Sequence, residues 1–247
     1  MSDQKQHQQR ITYTNGLERN ISDIVSKLDD VMKDYDAIYL ITGYSAAEFE
    51  SFDDVLKDID IFFQVDSKVQ TSTEQSKVLL LYGGDPSVGN GKRTLGDLIR
   101  LLKFTYSQCY VMAVVCDRDT YEDFIDCVII VDPMYDTNRN IVYGGYNSLS
   151  VDSSTLTLPA TEKNQFRLVG NTVYYLHESI QKYITRVIIC GGGLITLQET
   201  QYVVDHTSIP YSFISASSPR HPESYGYTKG PVHAWFENKQ ISLHRNK

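Results

Sequence analysis

The feature that most constrains this chain is a series of short apolar runs, each closed by glycine, Asp-Pro or a polar turn. Between most of them lie stretches of helical periodicity. Ala37–Gly43, Lys77–Tyr82, Tyr110–Cys116, Cys127–Val131, Arg186–Cys190 and Tyr211–Ile214 are apolar almost throughout. A run of four to eight apolar residues leaves no face for water, so it suits a strand covered on both sides. The segments between them differ in period. In Ile21–Met32 the apolar residues Ile21, Ile24, Val25, Leu28, Val31 and Met32 recur at three, four and seven. Glu48–Asp60, Leu95–Phe104, Val173–Tyr183 and Leu197–Val204 are also read as helices. The alternation predicts an α/β fold: a Rossmann-like open parallel sheet with helices on both faces, in a single domain.

The domain is placed at residues 18–216, after a polar lead-in at 1–17 and before a Pro-containing tail at 217–247. Residues 134–165, rich in Ser, Thr, Asn, Gly and Tyr, are read as a loop or small hairpin excursion. Composition narrows the function classes. At 247 residues and 41% hydrophobic, the chain has the apolar content of a globular protein. Its net charge of −8 argues against nucleic acid as a partner, since phosphate binding draws on surplus Lys and Arg. No run of 18 apolar residues is present, and Met1–Arg10 is polar and Gln-rich; no membrane association, no secretory signal and a cytoplasmic location are expected. Cys109, Cys116, Cys127 and Cys190 fit no zinc spacing and read as buried reduced thiols.

In open parallel sheets ligands bind beyond the carboxyl ends of the strands. Here that rule selects Gly43, Gly83-Gly84-Asp85 and Gly191-Gly192-Gly193. The last is the most informative. A buried strand runs into three glycines, then Thr196, then Glu199. Glycines let a backbone approach a phosphate, and helix-start amides attract an anion. The spacing places Thr196 as the helix cap and Glu199 as a capping-box acid. A tight turn with a well-capped helix would give the same pattern.

The run Gly191-Gly192-Gly193-Leu194-Ile195-Thr196-Leu197-Gln198-Glu199 resembles the P-G-G-x-G-T-x-x-E signature of the SLOG superfamily. That superfamily includes the Lonely Guy phosphoribohydrolases. Gly191 falls on the family's Pro, Gly192 and Gly193 on its paired glycines, and Ile195 on its third glycine. Leu80-Leu81-Tyr82-Gly83-Gly84-Asp85 is similar to the family's earlier glycine turn and lies in the right order. The resemblance, over about residues 37–215, implies a nucleotide-derived ligand: a nucleoside monophosphate, an ADP-ribose-like molecule or a nucleotide sugar. Its phosphate would lie near Gly192, Gly193 and Thr196, and its ribose near Glu199. Gly83, Gly84 and Asp85 would close the other side; Tyr44 and Tyr82, which lie at two of the three strand ends, are the candidates for stacking on the base. A homodimer and no cofactor are also implied.

Enzymatic members carry an Arg-Lys pair on the helix before the late strand, where this chain has Leu176–Lys182 without Arg. The resemblance therefore favours a binding protein. The alternative is a phosphoribohydrolase cleaving the N-glycosidic bond of a nucleoside 5′-monophosphate, with Glu199 stabilising the ribose cation and Arg186 or Arg167 replacing the missing Arg. A third reading is a non-catalytic interaction scaffold, for which the 18 tyrosines are suitable surface.

Other motifs carry less. Gly84–Thr94 imitates a P-loop, but Pro86 replaces the first Gly and Arg93 stands where Ser or Thr must hold magnesium. Lys92 and Arg93 are then either anion clamps or an ordinary solvated loop. The six histidines show no metal-ligand spacing, and no metal is expected. His177 is read as a helix-surface residue. Asp117, Asp119, Asp123 and Asp126 are read as a solvated acidic helix start rather than a magnesium site.

Overall fold

The computed structural model describes residues 9–13, 17–43, 48–66, 76–115, 122–131, 134–135, 141–143, 175–216 and 230–239. Among the described residues seven strands form one sheet in which every pairing is parallel: β1 (Gln9–Tyr13), β2 (Ala37–Gly43), β3 (Val78–Tyr82), β4 (Cys109–Val115), β5 (Cys127–Val131), β8 (Arg186–Cys190) and β9 (Tyr211–Ile214). Their order across the sheet is β1-β5-β4-β3-β2-β8-β9. The remaining strands, β6 (Met134–Tyr135) and β7 (Ile141–Tyr143), make a separate antiparallel hairpin. Among the described residues the helices are α1 (Leu17–Met32), α2 (Phe52–Asp66), α3 (Leu95–Thr105), α4 (Leu194–His206) and α5 (Gly230–Asn238). The fold is an α/β open parallel sheet of Rossmann-like type.

Alternation along the strands divides the core into two layers. Tyr39, Ile41, Leu80, Tyr82, Val111, Ala113, Ile188 and Cys190 pack on one face against α2, α3 and Phe124-Ile125. Ile38, Leu40, Leu79, Leu81, Met112, Val114, Val187 and Ile189 pack on the other with α1, the segment from Tyr175 to Ile184, α4 and α5. The two sets of coverings sort by the direction in which the chain crosses the sheet. Steps from β2 through β3 and β4 to β5 run towards one edge and are covered on the first face. Steps from β1 to β2, β5 to β8 and β8 to β9 run the other way and are covered on the second. A single crossover hand demands this segregation. Its consequence is a switch point between β2 and β8, whose onward helices leave to opposite faces.

Four local expectations are corrected. Gln9–Tyr13, inside the polar lead-in, is an edge strand paired with Cys127–Val131. Residues 230–238, inside the tail, form α5, whose Val232, Ala234 and Phe236 are buried. Among the described residues of 173–183 there is no continuous helix, only turns and a short 3₁₀ segment at Gln181–Tyr183. Tyr175 explains part of that. Its hydroxyl accepts from the Val114 amide (2.8 Å) and donates to the Tyr82 carbonyl (3.0 Å), so the segment is tied to the ends of β3 and β4. The helix expected from Leu197 begins three residues earlier, at Leu194.

Candidate functional site

The three glycine turns chosen from sequence end three adjacent strands, β3, β2 and β8, with β2 in the middle. At about 4.8 Å between neighbouring strands they span roughly 10 Å across the switch point. Gly43 and Cys190 are register partners. A Cβ on Gly43 would lie 2.6 Å from the Cys190 carbonyl oxygen, so the strands approach closely here. Beyond Cys190 the chain turns through Gly191 (φ 57°) and Gly192 (φ 131°). A Cβ on Gly192 would meet the Thr196 side chain at 2.4 Å, so positive φ and lack of space both favour glycine.

Two helices start just after glycine turns, and they start differently. At α3, Thr94 and Asp97 form a complete capping box. Asp97 also accepts from Ser87 Oγ (2.6 Å) and the Gly89 amide (2.9 Å). Burial pushes its carboxyl up, but hydrogen bonds from Ser87, Gly89 and Thr94 outweigh it and hold the acid below the usual carboxylate range. The Asp85 and Pro86 carbonyls lie over Gly96 in the first turn. This end of α3 is occupied by its own loop. At α4 the cap is Gly193, with no side-chain hydrogen bond, and the first helical bond runs from the Leu197 amide to the Gly193 carbonyl (2.9 Å). The amides of the first turn have no acceptor within the helix.

Thr196 is therefore not the cap, and Glu199 is not a capping-box acid. Both lie inside α4, where Thr196 (4% exposed), Glu199 (6%), Thr200 (0%) and Val203 (1%) recur at three, four and seven. This spacing marks the face turned towards the sheet, normally an apolar stripe. Here its first two turns are hydroxyl, carboxylate and hydroxyl. Thr200 Oγ1 donates to the Thr196 carbonyl (2.6 Å). Glu199 accepts from Thr42 Oγ1 on β2. Burying a carboxylate is costly unless it is hydrogen-bonded. The bond joins the branch of the switch point that leaves β2 to the branch that leaves β8.

Thr42 was not singled out from the sequence. The available signal was the hydroxyl directly before Gly43 in an otherwise apolar strand. Arg186 is placed elsewhere. It begins β8, at the amino end of the sheet, where its guanidinium binds Asp66 through two contacts of 2.6 Å and Ser212 Oγ at 2.8 Å. The structure does not bring it to Glu199. Tyr82 is fully buried with its ring beside Phe124 (6.3 Å between centroids), so it presents no face for stacking. Gly84 and Asp85 are buried beyond β3; a Cβ on Gly84 would meet Val115 at 2.3 Å. Tyr44, Arg167, Cys116, Asp117 and Asp119 lie outside the described residues.

The remaining candidates have structural partners. Lys92 pairs with Glu48 (2.8 Å), and the Arg93 carbonyl accepts from the Phe49 amide. Asp126 holds Lys103 (2.7 Å) and the Val111 amide (2.8 Å). His177 Nδ1 engages Ser179 in its own turn. Among the described residues no three His, Cys, Asp or Glu side chains converge as a metal site, and no helix is long and apolar enough to cross a membrane. No family model, curated protein or solved structure matches this chain.

Proposed function

We propose that this protein is a SLOG-like binder of a nucleotide-derived ligand, held at the switch point between β2 and β8. The observation that carries the reading is the polar face of α4. Thr196, Glu199 and Thr200 occupy positions that packing alone would fill with Leu or Val, beside a helix start left without a side-chain cap. Local rules broken together at strand ends point to function rather than to stability. In this reading the amides of the glycine turn and first helical turn hold the phosphate. Glu199 accepts from ribose hydroxyls, and the Gly83–Asp85 turn bounds the far side. A chain of net charge −8 gains little from its overall field in attracting an anion, so local amides must carry the attraction.

For the alternative, N-glycosidic cleavage, Glu199 is the supporting residue among those described: Arg186 is committed to Asp66, and Arg167 lies outside the described residues. Calorimetric titration with AMP and ADP-ribose tests the binding reading. The expected result is saturable heat that disappears in Glu199→Gln or Gly192→Val; no heat at millimolar ligand refutes it. Release of free base from AMP that is lost in Glu199→Gln would move the assignment to a phosphoribohydrolase.

A further inference from the structure

We propose that Asn90-Gly91 is a self-modification site: the turn that carries it converts its asparagine to aspartate and isoaspartate through a cyclic imide, and thereby unfastens the loop at the start of α3. This loop is the segment that imitates a P-loop in sequence. Gly89 (φ 66°), Asn90 (φ 50°) and Gly91 (φ 77°) are left-handed in succession, and among the described residues Asn90 is the sole non-glycine with positive φ. The Lys92 amide donates to the Gly89 carbonyl (2.9 Å). That bond, with positive φ at both central residues, defines a type I′ turn, for which Asn-Gly is the preferred pair. The dipeptide that best builds the turn also places a reactive side-chain amide next to the least shielded of main-chain nitrogens. Both groups are accessible. Asn90 and Gly91 are exposed, and a Cβ on Gly91 would meet nothing within 4 Å. Among the described residues no hydrogen bond holds the Asn90 side chain or the Gly91 amide.

The reaction needs only water. The Gly91 main-chain nitrogen gives its proton to solvent base and attacks Asn90 Cγ; the Cγ–Nδ2 bond breaks, ammonia leaves and the imide ring closes. Glycine suits the attack because no side chain crowds that nitrogen. Water then opens the imide at either carbonyl. Opening at Cγ gives aspartate, which still suits a type I′ turn. Opening at the Asn90 main-chain carbonyl gives isoaspartate, in which the chain runs through Cβ and Cγ and gains a backbone atom. Nothing is oxidised or reduced, and either product carries a new negative charge. The longer backbone no longer brings the Lys92 amide onto the Gly89 carbonyl. What flanks the turn is what fastens the loop. The Gly89 amide donates to Asp97 Oδ1 (2.9 Å), Lys92 pairs with Glu48 (2.8 Å), and the Arg93 carbonyl accepts from the Phe49 amide (2.9 Å).

Ageing of the full chain in mildly alkaline buffer, followed by tryptic mapping by mass spectrometry, tests this. Cleavage after Lys77 and Lys92 isolates Asn90 in residues 78–92. Cleavage after Arg10 and Arg19 isolates the other Asn-Gly pair, Asn15-Gly16, which lies outside the described residues. Residues 78–92 are expected to gain aspartate and isoaspartate with time, faster as pH rises, and severalfold more slowly in Gly91→Ala. The aged protein should also be cut faster within residues 84–94 by a non-specific protease. Asn90→Asp, which adds the charge but keeps the backbone, should be cut like the fresh protein. An Asn90 that stays intact, whether or not Asn15 converts, overturns the inference, as does conversion at the same rate in Gly91→Ala. Conversion that leaves cleavage of the loop unchanged overturns it too. Equally fast cleavage of Asn90→Asp does the same, because the charge and not the lengthened backbone would then loosen the loop.

Discussion

Breaking the Arg186–Asp66 pair should destabilise this protein more than removing any single hydrogen bond in it. Asp66 ends α2, where a negative charge faces the negative end of the helix dipole. It is tolerated there because Arg186 meets it with two 2.6 Å contacts. The guanidinium side chain is 2% exposed and the carboxylate 9%, and the guanidinium carbon lies 4.9 Å from the Phe62 ring centroid. Neither charge retains much water. Asp66→Asn keeps the shape and leaves Arg186 buried without its counter-charge, a change worth about 3–5 kcal/mol. For a chain of this size that is a fall in Tm of roughly 6–20 °C. Arg186→Met should cost a similar amount for the opposite reason. The double variant Arg186→Met/Asp66→Leu should recover most of the loss, because a packed apolar pair replaces a desolvated ionic one. Urea unfolding of the wild type, Asp66→Leu, Arg186→Met and the double variant closes the cycle, with Asp66→Asn measured beside it. A loss below about 1 kcal/mol in Asp66→Asn, or strict additivity in the double variant, would refute the argument that the pair is desolvated and coupled.

Three further outcomes follow from buried groups. The Tyr82 hydroxyl is fully buried with no hydrogen-bond partner among the described residues, so Tyr82→Phe should be neutral or stabilising by up to about 1 kcal/mol; a loss beyond that, read by urea unfolding, would mean that the phenol has a partner. Asp97→Asn should cost about 1–3 kcal/mol and speed proteolysis in residues 84–94, since one carboxylate gathers Ser87, Gly89 and Thr94; unchanged cleavage would show that the loop is held otherwise. Burial raises the Cys109 thiol to about 12 and the Cys127 thiol to about 11, above their value near 9 in the unfolded chain. Their contribution is therefore complete below pH 9 and is lost as pH rises through the folded values. Stability should fall by about 1.4 kcal/mol per pH unit for each thiol between pH 9 and 11, and a flat profile in urea unfolding would contradict it.

The parallel sheet was legible because six short runs, apolar almost throughout, have few other solutions. The strand Gln9–Tyr13 was not, since a polar edge strand carries no apolar signature; its evidence is a partner more than 100 residues away. Helix α5 begins with Gly-Pro inside a segment rich in turn formers, and only its burial against Tyr211 and Phe213 identifies it as part of the core layer. At the candidate site the glycines, Thr196 and Glu199 stood out as residue types. Their roles did not. Helix spacing of three fits both a capping box and two residues one turn apart on a buried face, and only the start of α4 at Leu194 separates them. Thr42 and Arg186 show the same limit: which end of a strand a side chain occupies decides whether it meets Glu199 or Asp66.

The pairing of β1 with β5 has a consequence for handling the protein. Without Gln9–Tyr13, the strand Cys127-Val128-Ile129-Ile130-Val131 would become the border of the sheet, with its amides and carbonyls unpaired along one side. That is a short, uncharged, β-branched segment without proline, the composition that templates sheet-to-sheet association. Strand Gln9–Tyr13 thus acts as a guard for the sheet. A truncation begun at the first helix would expose an aggregation-prone border even with both core layers intact.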